Sequence, residues 1–123
     1  MSAEYPQVEV ESREELRRWL ERHHETSSGI WLVTYKKSDP RYLPYEHVVE
    51  EALCFGWIDS KARRLDERRT SIVLTPRKPR SNWSGPNRER VERLLGADLM
   101  APAGLAAIER AKDDGTWGAA GEA

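Results

Sequence analysis

The 123-residue chain has little of what secreted or membrane-spanning proteins need. Its single cysteine, Cys54, has no partner for an internal disulfide, which fits a reducing compartment. No apolar run approaches the roughly 20 residues of a membrane-spanning helix, and the charged N-terminus lacks the apolar stretch of a signal peptide. We therefore expect a single cytoplasmic domain over residues 1–123, without membrane contact.

The sequence is also poor in catalytic motifs. His23 and His24 are neighbours at a predicted helix end and point in different directions, while His47 stands alone, so we predict no metal site. No Walker loop, dinucleotide fingerprint or nucleophile elbow is present, and we predict no cofactor. Cys54 stands between Leu53 and Phe55, which favours a buried, inert thiol over a nucleophile.

The formal net charge of −1 conceals a strong segregation along the chain. Residues 61–93 hold 11 Lys or Arg against 4 Asp or Glu, a local excess of +7, whereas the segments on either side are acidic. Such an excess attracts phosphate-bearing partners if it stays exposed after folding. The sequence leaves open whether the acidic helices pack beside it and neutralise it.

The apolar periodicity predicts an α+β domain. Ser12 and Glu15 form a capping box before a helix that runs to about His24, and Ile30–Tyr35 is apolar on both faces, as an interior strand is. A helix over Tyr45–Phe55 places an apolar stripe opposite or beside three glutamates (Glu46, Glu50 and Glu51). The other expected elements are a short strand over Val8–Val10, a hairpin of Trp57–Leu65 with Arg68–Thr75, and helices over Gly85–Leu95 and from Pro102 to near Gly115.

This order, β-α-β-α-β-β-α-α, predicts a small, mostly antiparallel sheet covered by about four helices. The strand order within the sheet does not follow from it.

The segment 75–87 is the first candidate site. It places three cations, several short hydrogen-bonding side chains and an indole ahead of a predicted helix that Ser84 caps. Free backbone N–H groups and the positive end of the helix dipole favour anions there. The alternative interpretation is a capped turn with solvated cations. The predicted anion-binding residues are Arg77, Lys78, Arg80, Ser81, Trp83, Ser84 and Asn87, with Lys36 and Lys37 as possible additions.

A second candidate lies on the strand that begins at Trp57. Simple alternation puts Trp57, Asp59 and Lys61 on one face. Asp59 is then a general base or ligand-orienting group beside a stacking indole, or it is an ion-paired structural residue with Trp57 in the core. We favour the structural interpretation.

Several segments together carry a resemblance to a known family: IWLV at 30–33 with Lys36 and Lys37, EALCFGWIDS at 51–60, TPR at 75–77, SNWS at 81–84 and NRERV at 87–91. They resemble the YdeI/OmpD-associated (OmdA) family over residues 31–117. That resemblance implies a small bacterial protein linked to bacteriocin protection and antimicrobial resistance, in a family whose biochemical activity is poorly defined. The family's porin partner is not carried over, because the sequence shows no export signal. Ala101 also stands where the family tends to have a helix-capping hydroxyl.

From these features we predict a non-enzymatic domain that binds an anionic small molecule or a partner protein. Two alternatives stay open. The basic middle segment would bind nucleic acid, with Trp83 or Trp57 stacked on a base, or Asp59 would act as the base of a small enzyme that needs no cofactor.

Overall fold

Four strands and four helices follow one another along residues 5–118, the part of the chain that the computed structural model describes. Each predicted element is present, within two residues of its expected ends, and the α+β class is confirmed. The elements are β1 Gln7–Glu9, α1 Arg13–His23, β2 Ile30–Tyr35, α2 Tyr45–Cys54, β3 Trp57–Arg64, β4 Arg69–Pro76, α3 Gly85–Gly96 and α4 Pro102–Asp114.

The strands form one sheet in the order β1-β2-β4-β3. β2 pairs with β4 and β4 with β3 in antiparallel fashion, whereas β1 adds to the edge of β2 in parallel. The prediction of a mostly antiparallel sheet with β2 in its interior is therefore confirmed. The parallel edge strand makes the sheet mixed.

β3 contains an irregularity that the sequence prediction did not include. Asp59 pairs with Leu74, but Ala62 pairs with Ile72, so three steps along β3 match two along β4. One extra residue of this kind is a β-bulge, which interrupts the alternation of side chains. Asp59 and Ala62 consequently share a face, so the simple alternation that placed Lys61 beside Trp57 and Asp59 does not hold across this segment.

The core lies between the helices and one face of the sheet. Leu16 and Leu20 of α1 are fully enclosed, as are Leu32 of β2 and Leu74 of β4. Trp57 is 1% exposed and belongs to the same core. Burying side chains of this size contributes about 1.5–3 kcal/mol each, so this layer is the main source of stability.

The opposite face of the sheet is covered differently. Trp31 and Tyr35 project from it, and arginine side chains lie over their rings, Arg63 at 4.2 Å and Arg41 at 3.8 Å from the ring centroids. Aliphatic stems with charged heads cover apolar surface while the charge stays in water. Guanidinium groups thus shield aromatic rings on this side.

α2 is joined to both neighbouring helices by ion pairs. Glu51 is only 2% exposed and accepts hydrogen bonds from Arg13 (2.5 Å) and Arg17 (3.1 Å) of α1. Glu50 lies within 2.9 Å of Arg13 and 3.2 Å of Arg93 in α3. The sequence pattern places Glu51 opposite or beside the apolar stripe, and does not predict its burial. It is buried because two guanidinium groups compensate its charge.

No helix in residues 5–118 combines the length and apolar character needed to cross a membrane.

Candidate functional site

The predicted anion-binding segment follows β4 and turns back towards α4. The backbone N–H of Arg77 donates to the carbonyl of Gly56 (3.0 Å), and that of Trp83 donates to the carbonyl of Thr116 (3.2 Å). Between these anchors, Ser81 N–H donates to Lys78 O (3.3 Å) and closes a turn in which Arg80 has a positive φ of 68°. The left-handed conformation is uncommon for a residue other than glycine. We call Arg77–Trp83 the Arg77 corner.

Arg77 is the central side chain of this corner. Its guanidinium lies 3.9 Å from the ring centroid of Trp83 and donates to Ser81 Oγ (3.3 Å) and to the carbonyl oxygen of Asn82 (3.0 Å). No carboxylate within residues 5–118 forms an ion pair with it. Burial lowers the pKa of Arg77 from its usual value, because a desolvated cation is disfavoured. Arg77 therefore remains charged in a partly dry setting without a counter-ion.

A small cavity of about 40 Å³ lies between the Arg77 corner and α4. A space of this size holds one or two waters or a small ion. Four cations and one carboxylate line it, which leaves a formal local charge of +3. The carboxylate, Asp114, has a lowered pKa, chiefly because Thr116 donates to it, with smaller contributions from nearby cations. The lining side chains are Arg77, Lys78, Pro79, Arg80, Ser81, Trp83, Ala107, Arg110, Ala111, Asp114 and Thr116.

Ser84 and Asn87 stabilise the start of α3 next to this cavity. Ser84 Oγ accepts the backbone N–H of Asn87 (3.2 Å), which confirms the predicted N-cap of α3. Asn87 Oδ1 accepts from Arg90 (2.7 Å). Neither residue lines the cavity. Five of the seven predicted residues thus meet at one place, and these two stand beside it as a helix cap.

The two indoles of the predicted sites are both buried. Trp83 is 3% exposed and packs against Trp117 with ring centroids 5.1 Å apart, while Trp57 packs edge-on against Trp19 at 6.0 Å. Neither ring presents a free face to solvent. A nucleic acid base would have to displace core contacts to stack on either one.

Asp59 is held by a tyrosine. The hydroxyl of Tyr45 donates to Asp59 Oδ2 at 2.8 Å, and the pKa of Tyr45 is raised by burial first and by this hydrogen bond second. Asp59 has no ion pair within residues 5–118, so the expected pairing with Lys61 or an arginine is replaced by a link between β3 and α2. This contact fits a structural role.

Lys36 and Lys37 are far from the Arg77 corner. Lys36 N–H donates to the carbonyl of Arg68, just before β4, whereas Arg77 follows the last residue of that strand. Eight strand residues at about 3.3 Å each separate the two ends by roughly 23 Å. The predicted anion-binding residues therefore lie at two opposite ends of the sheet.

At their own end, Lys36 and Lys37 border a groove of about 360 Å³. It runs between the sheet and the first turn of α2, and three of its lining residues are tyrosines. We call it the tyrosine groove; its lining residues are Thr34, Tyr35, Lys36, Lys37, Tyr42, Leu43, Tyr45, Val48, Ala62, Thr70, Ser71 and Ile72.

Part of the basic middle segment is neutralised by acidic partners. Arg90 donates to Glu46 of α2 (2.7 Å), and Arg93 contacts the same carboxylate (3.1 Å). Arg69 forms ion pairs with Asp66 (2.8 Å) and Glu9 (2.9 Å). The local excess of +7 therefore does not form one continuous basic surface.

Cys54 is fully buried, and burial raises the pKa of its thiol. This confirms the interpretation of a buried rather than an exposed reactive cysteine. Within residues 5–118, no three His, Cys, Asp or Glu side chains are grouped as metal ligands.

The sequence prediction missed the contribution of α4. Arg110, Asp114 and Thr116 complete the cavity beside the Arg77 corner. They lie about 30 residues further along the chain, and no local motif marks them. Only the packing of α4 against the corner brings them there.

A family model described as "Domain of unknown function (DUF8412)" matches residues 8–107. No curated protein and no solved structure gives a significant match.

Proposed function

Because the chain belongs to the DUF8412 family of domains of unknown function, we propose its function from the geometry of the Arg77 corner. The protein is a non-enzymatic binding domain, and the corner holds an anionic group of a small molecule or a partner protein.

The observation that supports this proposal is the missing counter-ion of Arg77. Partly buried guanidinium groups normally pair with a carboxylate, because an uncompensated charge away from water is costly. Arg13 of α1 and Arg90 of α3 follow that rule, since each contacts a glutamate at 2.5–2.7 Å. Within residues 5–118, the acceptors of Arg77 are neutral, namely Ser81 Oγ and Asn82 O. An external anion supplies the missing charge.

The neighbouring groups favour the same ligand chemistry. Lys78, Arg80 and Arg110 surround the cavity, so an incoming anion meets a positive field. The stack on Trp83 fixes the plane of the Arg77 guanidinium, and a fixed plane suits bidentate binding of a carboxylate or phosphate. The cavity of about 40 Å³ admits the anionic group, and the rest of a larger ligand lies outside it.

The direct test is the stabilisation of the protein by inorganic phosphate. A ligand that binds only the native state raises stability, by about 2.7 kcal/mol at one hundred times its Kd. We expect phosphate to raise the Tm more than sodium chloride of equal ionic strength does. Arg77→Met keeps an apolar side chain over Trp83 and removes the charge, so the phosphate-specific rise should vanish.

Arg22→Ala is the matched control. Arg22 is an exposed cation of α1 that does not line the cavity, and its loss should leave the phosphate effect unchanged. Circular dichroism verifies that each variant is folded. An Arg77→Met protein that is folded and still responds to phosphate contradicts the proposal.

The resemblance to YdeI/OmdA proteins supplies the biological setting of the proposal, protection against bacteriocins. Deleting the gene in its bacterial host and measuring bacteriocin sensitivity tests this setting separately from anion binding. Restoration by the unmodified gene but not by Arg77→Met would connect the two.

A further inference from the structure

The tyrosine groove lies at the opposite end of the sheet from the Arg77 corner and has the properties of a separate binding site. Its floor is formed by Ile72 and Ala62 of the sheet, and Val48 and Leu43 form a wall beside α2. Tyr42 and Tyr45 are 40% and 53% exposed at its edge. A volume of about 360 Å³ falls in the range of small-molecule sites, which are mostly apolar with a few polar groups.

Thr34 is the polar group that carries the argument. It lies on β2, is only 5% exposed and lines the groove, and its hydroxyl has no hydrogen-bond partner within residues 5–118. The nearby hydroxyls of Thr70 and Ser71 both donate to the carbonyl of Arg63. Thr34 Oγ1 is not enclosed by protein atoms, which fits a hydroxyl that opens into the groove and is hydrated there. A ligand acceptor in the groove would replace that water.

Two cations border the same space. Lys36 and Lys37 form no ion pair within residues 5–118, although Arg41 nearby is paired with Asp39 at 2.9 Å. The ammonium groups therefore remain available to an anion that enters the groove.

The first turn of α2 adds a third favourable element. Its N-cap is Pro44, which provides no side-chain cap, so backbone N–H groups of this turn lack a side-chain acceptor. A helix N-terminus attracts negative charge. The carboxylate in this turn, Glu46, is already engaged by Arg90 and Arg93.

We propose that the tyrosine groove binds a small organic carboxylate with a compact apolar body. The carboxylate accepts a hydrogen bond from Thr34 and lies near Lys36 and Lys37. The apolar body packs against Leu43, Val48 and Ile72. This site is independent of the anion site at the Arg77 corner.

The test uses phenylacetate and octanoate as probes, with phenylacetamide and octanamide as neutral isosteres. Binding to the full-length protein is followed by calorimetry and by chemical shifts of groove residues. We expect both carboxylates to bind at least tenfold more tightly than their amides, because the amides lack the charge that the lysines and the α2 N-terminus attract.

Four variants locate the ligand. Thr34→Val removes the hydroxyl at nearly constant shape and should weaken carboxylate binding about tenfold, while Thr34→Ser restores it. Lys36→Ala with Lys37→Ala should weaken it by a similar factor. Arg22→Ala with Lys112→Ala removes the same charge outside both the groove and the Arg77 corner and should leave binding unchanged.

The proposal is overturned if folded Thr34→Val binds as tightly as the unmodified protein, or if the amides bind as well as the acids. Binding of a peptide through its C-terminal carboxylate, with no response to either small acid, overturns it in favour of a protein partner. Arg77→Met should keep the chemical-shift changes of the groove residues, so failure at the Arg77 corner and failure in the groove give different results.

Discussion

Arg13 of α1 donates a 2.5 Å hydrogen bond to Glu51 of α2, a carboxylate that is only 2% exposed. Arg17 contacts the other oxygen of the same carboxylate at 3.1 Å and also donates to the carbonyl of Leu99 (2.8 Å). The carboxylate of Glu51 thus links α2 to α1, and Arg17 extends the link to the loop before α4. Removing one member of such a cluster leaves charges without compensation.

We expect Glu51→Ala to lower the free energy of unfolding by about 3 kcal/mol. Urea unfolding at neutral pH measures the change. Glu21→Ala is the control, because Glu21 is exposed and lies 3.8 Å from Arg17, a contact worth under about 0.5 kcal/mol. Equal effects of the two substitutions would show that the buried cluster contributes no more than a surface pair.

We expect Gly104→Ala to destabilise the protein by about 1–3 kcal/mol through overpacking. A Cβ at this position would lie 2.2 Å from the carbonyl oxygen of Cys54, a backbone atom that cannot move without shifting α2. Gly96→Ala, in α3, meets nothing within 4 Å and should be neutral or slightly stabilising. Thermal unfolding of both variants measures the difference in stability. A Gly104→Ala protein as stable as the unmodified protein would mean that α4 is free to shift away from α2.

Acid should weaken the hairpin of β3 and β4. Asp66 accepts from Arg69 and from the backbone of Arg68 and Arg69, which lowers its pKa from 3.8 to about 2. The unfolded chain therefore takes up this proton at higher pH than the folded chain. The contribution of Asp66 to stability is complete above about pH 4 and is lost as the pH falls towards 2.

Urea unfolding between pH 7 and pH 2 measures this dependence. Asp66→Asn should reduce the fall in the free energy of unfolding between about pH 4 and pH 2. Asp113→Asn, at an exposed position of α4, should show the same fall as the unmodified protein. An identical profile for Asp66→Asn and the unmodified protein would contradict the assignment.

Cys54 should react slowly with thiol reagents in the native protein. Its side chain is fully buried, and burial raises the pKa of the thiol, so little thiolate is present or accessible. We expect labelling by iodoacetamide to accelerate strongly in denaturing urea. Ser28→Cys in a Cys54→Ala background places a thiol at an exposed position and should label at the same rate with or without urea. Rapid native labelling of Cys54 would reveal frequent opening of the core.

Local signals in the sequence predicted the elements well. The capping hydroxyls of Ser12 and Ser84 mark the starts of α1 and α3, and both accept the expected backbone N–H. The apolar run Ile30–Tyr35 gives β2 its observed bounds. Each of these signals depends on neighbours within a few positions.

The arrangement of the elements depends on distant contacts and was less accessible. Nothing local to Gln7–Glu9 specifies a parallel pairing with β2, and nothing local to Lys61 marks the bulge in β3. For the same reason, the sequence prediction grouped the lysines after β2 with the cations after β4, although the fold separates them. Lys36 and Arg77 have similar chemistry in the sequence, but the antiparallel pairing of β2 with β4 carries them to opposite ends of the sheet.

The strand order has a consequence for synthesis on the ribosome. β2 ends at Tyr35, but its main partner, β4, is complete only at Pro76, 41 residues later. At ordinary elongation rates of about 5–20 residues per second, an apolar six-residue strand waits roughly 2–8 seconds without that partner. During this interval Ile30–Tyr35 is an unpaired apolar segment of the kind that chaperones recognise.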